Sequence, residues 1–156
     1  MSGDGIEIVT LEKPFLLLLV GMLALAGCEG GTKTNIQSKC NSSGRSGTCA
    51  VMLVSIEGGP YRFDIKNSEF WPGANGVEVM AQISVAKGTL RVWLVDPQEN
   101  KITVTIEPGQ TAELKGTAWV TGLSDERSFS VYFEPLGESE AKRAEDVQAE
   151  IRYNMP

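Results

Sequence analysis

From Ala50 to the end of the chain, apolar residues recur at every second position, and no other feature narrows the fold so far. A period of two belongs to a strand with one buried and one wet face. Tyr61-Arg62-Phe63-Asp64-Ile65-Lys66 alternates without error. Val77, Val79, Ala81, Ile83 and Val85 share one face, as do Leu90, Val92 and Leu94, and then Ile102, Val104 and Ile106. Phe129, Val131 and Phe133 repeat the rule, and Val147, Ala149, Ile151 and Tyr153 close it. Turn formers separate these runs, among them Gly58-Gly59-Pro60, Asn75-Gly76, Lys87-Gly88 and Pro108-Gly109. Alternation of this kind predicts antiparallel sheets with one solvated side, and about seven to nine such strands predict an all-β, two-sheet β-sandwich of jelly-roll or Ig-like type. A small β-barrel is the alternative. The one helical suggestion is Glu138 to Val147, where Glu138 and Lys142 stand i,i+4. It is expected to form a short helix or ordered loop before the last strand.

The N-terminal part reads differently. Phe15 to Ala26 is FLLLLVGMLALA, an uncharged apolar run that follows Lys13 and Pro14. It is far shorter than the roughly 20 residues of a membrane-spanning helix, so it fits the core of a signal peptide. Leu25-Ala26-Gly27-Cys28 follows at once and resembles the lipobox of bacterial lipoproteins. The resemblance implies cleavage before Cys28, acylation of its thiol, and export with a lipid anchor in the cytoplasmic membrane or the outer membrane. The covalent diacylglycerol and acyl (palmitate-type) chains on Cys28 are then the only non-protein group expected, and two or more chains suffice for stable anchoring. The acidic start MSGDGIEIVTLE departs from the basic flank of such signals, as it would if synthesis began near Val9.

These readings divide the chain into a signal peptide (1–27), a lipidated N-terminus with a flexible tether (28–39) and a β-sandwich domain (40–156). The tether is read from Glu29 to Lys39, which is polar, contains Gly30 and Gly31 and shows no apolar period. With Cys28 given to lipid, Cys40 and Cys49 remain as a pair. An exported protein meets an oxidising compartment, and the intervening NSSGRSGT is turn-forming, so a structural disulfide is expected.

Chemistry is narrowed mainly by what is missing. The chain has no histidine, which removes the usual general base, the usual transition-metal ligand and the Ser/His and Cys/His nucleophile pairs. Its net charge is -6 and it has no Lys/Arg cluster, against any role on nucleic acid. Asp96, Gln98, Asn100 and Glu107 mimic part of a calcium loop, but Lys101 stands where glycine is needed. Ser139 to Lys142 matches S-x-x-K without its companion motifs. Neither supports an active site, so no catalytic or metal residue is assigned and the chain is read as a non-enzyme. Aromatics are the better lead. Trp71 lies in a Phe-Trp-Pro-Gly loop, and Trp93, Met80 and Tyr132 fall out of phase with the core residues of their strands. Together they define a possible partner or ligand surface. The expected function is an accessory, protein-binding module of an envelope or membrane complex. Carbohydrate binding through exposed aromatics is the alternative, and a hydrolase a weaker one.

Overall fold

The computed structural model describes residues 33–71, 76–138 and 142–156. Cys28 and the apolar run before it lie outside the described residues. Among the described residues nine strands follow one another: β1 (Lys33–Ser43), β2 (Ser46–Glu57), β3 (Tyr61–Lys66), β4 (Val77–Lys87), β5 (Thr89–Val95), β6 (Lys101–Ile106), β7 (Thr111–Ala118), β8 (Ser128–Leu136) and β9 (Arg143–Asn154). They form two antiparallel sheets, one of five strands in the order β1-β2-β9-β4-β7 and one of four in the order β3-β8-β5-β6. The protein is thus the expected sandwich, and the barrel alternative is not adopted.

The alternating rows account for the core. Val77, Val79, Ala81, Ile83 and Val85 of β4 are all buried, as are Val147, Ala149, Ile151 and Tyr153 of β9 beside them. Facing them from the smaller sheet are Leu90, Val92 and Leu94 of β5 and Phe129, Val131 and Phe133 of β8. One end is sealed by Phe70, which is fully buried, with ring centroids 5.7 Å from Phe129 and 5.6 Å from Tyr153. This aromatic group joins the two sheets. One of the passages from the larger sheet to the smaller, between β4 and β5, is made by the single residue Gly88. There φ is +77°, and a side chain would run into the Arg143 carbonyl. Only glycine fits such a crossing without strain.

Two boundaries differ from the expectation. Lys33 to Lys39 is not tether but the first part of β1, paired with β2 up to Glu57. β1 is an edge strand, and from Gln37 to Ser43 every residue is exposed, so neither face shows an apolar period. The segment expected as a helix or ordered loop over 138–147 is strand from Arg143 onward. Ala144 and Val147 are buried there, and the left-handed Asp146 between them shifts the alternation by one residue. That shift imitates a helical spacing. The Cys40–Cys49 disulfide is present and bridges directly opposed residues of the β1–β2 hairpin, whose tip is at Gly44.

Candidate functional site

The outer face of the four-stranded sheet carries the aromatics that fell out of phase. Strand register lines up Arg62 of β3, Tyr132 of β8, Trp93 of β5 and Thr103 of β6 in one row across the sheet. Trp93 and Tyr132 stack with centroids 5.1 Å apart and planes 4° from parallel. Lys101 lies over the Trp93 ring, its Nζ 5.0 Å from the centroid. Trp93 points outward yet is only 7% exposed, because its neighbours enclose it. It is a support for Tyr132 and not a free anchor, which corrects the expectation for Trp93. Tyr132 stands between Trp93 and Arg62 in sheet order, so its second ring face is turned to the Arg62 side.

Arg62 is held in place there. Its Nε donates to Asp64 Oδ1 at 2.6 Å and to Ser130 Oγ at 3.0 Å, and Ser130 Oγ donates to the same Asp64 oxygen at 2.6 Å. The hydrogen bond to Asp64 raises the Arg62 pKa above its ordinary value. The guanidinium stays charged, and among the described residues its two Nη groups have no partner. They remain as donors on a fixed stem.

The third side comes from the chain after β7. The Trp119 N–H donates to the Val95 carbonyl at 2.7 Å, and Thr121 bridges Ser128 through two backbone bonds. Ala118 and Val120 are buried on either side of Trp119, so the indole between them faces out and is 38% exposed. Trp119, Tyr132, Arg62, Ser130, Val95 and Thr121 enclose a depression of about 200 Å³. That is below the 300–1,000 Å³ of common small-molecule sites, so it suits one ring-sized group at a time.

The remaining predicted residues lie elsewhere. Met80 is on β4 in the five-stranded sheet, flanked by Arg152 and Lys115, so it cannot join Trp93 and Tyr132 in one patch. The two sheets turn their wet faces in opposite directions. Trp71 is 60% exposed, at the end of the sandwich that Phe70 seals. Its N–H donates to Met155 Sδ at 3.2 Å, and the Arg127 guanidinium stands 5.7 Å from its ring centroid. Arg62 and Trp119 were not singled out in the sequence. Trp119 was findable by the rule that found Trp93, since it stands between two core residues. Arg62 looked like any polar residue of an alternating strand. Asp96, the start of the apparent calcium loop, spends its carboxylate on the β5–β6 turn, accepting from the Gln98 and Asn100 N–H groups at 2.9 and 2.7 Å.

The site therefore belongs to an antiparallel two-sheet sandwich with an aromatic depression on its smaller sheet. No family model matches the chain, and no curated protein matches it. Among solved structures it is similar to the family 11 carbohydrate-binding module of the cellulosomal cellulase Lic26A-Cel5E of Clostridium thermocellum. The TM-score is 0.36 and the identity 8%, over 81% of this chain and 87% of that one.

Proposed function

We propose that the chain is a non-catalytic glycan-binding module, held at a membrane by lipid on Cys28, whose ligand is a sugar ring seated between Trp119 and Tyr132. The observation that carries the reading is the pairing of exposed aromatic surface with the fixed Arg62 guanidinium in a depression sized for one ring. A pyranose offers an apolar C–H face for an aromatic ring and hydroxyls around its rim for the Nη donors. Tryptophan fluorescence titrated with a panel of monosaccharides and disaccharides tests it. Binding by one class of sugar, weakened about tenfold or more in Trp119→Ala, is expected. A panel without response refutes the reading. The anchor is checked separately by mass spectrometry of the mature N-terminus, which should begin at a lipid-modified Cys28.

A second reading, docking on a protein partner of an envelope or membrane complex, is favoured by one further observation. Leu123, in the segment after Trp119, is 84% exposed. Co-purification of a partner after mild detergent extraction, lost in Leu123→Asp, would move the assignment to that reading.

A further inference from the structure

The five-stranded sheet carries a second surface of a different build. A shallow trough of about 680 Å³ crosses its outer face from β1 to β7. Strand register gives its floor two rows. One runs Gln37, Met52, Gln148, Ser84 and Thr111, and the next runs Lys39, Ala50, Glu150 and Gln82. At the usual strand spacing, five strands give a length of about 19 Å. Beyond the first row the sheet is irregular. The pairing skips Val54 between β1 and β2, and Asp146, with φ of +51°, is passed over by both β2 and β9's other neighbour β4. Such interruptions bend strands and increase their twist.

The chemistry of the floor selects the occupant. Among the described residues the carboxamides of Gln37, Gln82 and Gln148 have no hydrogen-bond partner, so three planar donor–acceptor groups face the solvent along the trough. Ala50 and Ser84 are small and keep the floor low, while Met52, 42% exposed, offers an apolar contact. The lining charges are one of each sign, Lys39 and Glu150, and Glu150 is also tied to Arg152 at 2.7 Å. An anionic or cationic polymer finds no matching field there. An extended peptide would have to bury its own N–H and C=O groups on a sheet face whose backbone is already paired. A neutral, hydroxyl-rich chain has none of these costs, because each hydroxyl both donates and accepts, as each carboxamide does.

We infer that this trough binds an internal stretch of a neutral linear polysaccharide, laid across the strands, as a site separate from the single-ring depression on the other sheet. The inference rests on the glycan-binding reading and extends it. The full-length chain in mild detergent is titrated by calorimetry with neutral β-linked gluco-, manno- and xylo-oligosaccharides of increasing length, and with an oligogalacturonate as the anionic control. Expected is an affinity for one neutral series that rises with chain length. This length-dependent affinity should fall about tenfold or more in Gln82→Ala/Gln148→Ala, while Trp119→Ala removes only a length-independent component. Circular dichroism and thermal melting of the double variant confirm that it is folded, and Gln82→Glu/Gln148→Glu should lose the neutral series as well. Affinity that is independent of length, a preference for the anionic control, or loss confined to Trp119→Ala would overturn the trough while leaving the single-ring site standing. Silence from every sugar would overturn both.

Discussion

The two outer faces of the sandwich are made of the same kinds of strand and finished in opposite ways. On the four-stranded sheet the side chains are committed to one another. Tyr132 stacks on Trp93, Lys101 covers it, Arg62 is fixed by Asp64 and Ser130, Arg91 meets Glu134 at 3.3 Å, and Thr89 donates to Glu107 at 3.0 Å. The five-stranded sheet keeps its ion pairs to Glu150–Arg152 and to the end where Arg143 meets Glu57 and Glu145, and across its middle Gln37, Gln82 and Gln148 are bound to nothing among the described residues. A committed face loses little entropy when it receives a ligand, but it accepts few shapes. An uncommitted face can adapt along its length. The difference teaches that outward residues in a sandwich are not one class, and that their mutual bonds separate a shaped site from a permissive surface.

The largest expected effect would break the comparison by removing what both sheets share. Phe70→Ala leaves a cavity between Phe129 and Tyr153 and should cost about 3–5 kcal/mol, read from denaturant unfolding in a single transition. If the two sheets then melted separately, the sandwich would not be the cooperative unit described. Replacing both Cys40 and Cys49 with serine should cost about 2.7 kcal/mol, the loop-closure figure for a ring of this size. Amide exchange is expected to speed up in β1 and β2 while β5 and β8 stay protected, and an equal rise in both sheets would contradict it. A sharper contrast comes from one residue on each face. Tyr132→Ala removes the stack and should cost about 0.5–1.5 kcal/mol beyond its buried area, whereas Gln148→Ala should stay within about 0.5 kcal/mol of the parent.

The smallest effect is that of pH. Hydrogen bonding from Lys87, with the charges of Arg143 and Lys87, holds the Glu145 carboxyl below its ordinary pKa. For Asp96, desolvation acts to raise the value, but bonds from Asn100 and Gln98 outweigh it and the net direction is down. Groups depressed in the folded state stabilise it above the ordinary carboxylate range. That contribution fades as pH falls through their folded values. A slight loss of thermal stability on acidification, reduced in Glu145→Gln, is the expected record. No change in the pH slope for that variant would remove Glu145 from the account.

The strands were legible wherever one face is buried. Val77 to Val85, Leu90 to Leu94 and Phe129 to Phe133 announce themselves because each inward row meets the opposite sheet. β1 was invisible for the converse reason, being an edge that shows water both sides along most of its length. β7 carried a muted signal, since its inward row is Ala112, Leu114, Gly116 and Ala118, and Gly116 has no room for a side chain beside Ile102. The partners of β9, β2 and β4, are distant in sequence, and nothing in the alternation names them. For the site, Trp93 and Tyr132 could be read as outward residues, but their stacking follows from a register that only the folded sheet defines. Met80 obeyed the same outward rule and belongs to the other sheet. Phase tells which way a side chain points and not beside whom.

The early start of β1 has a mechanical consequence. From Lys33 the strand rises through 11 residues to the hairpin tip at Gly44, about 35 Å further on. Trp71 and Trp119 lie towards that tip, linked to it through Asn67, Met155 and the strands between. β1 therefore spans the module as a mast, with Lys33 at one pole and the two tryptophans at the other.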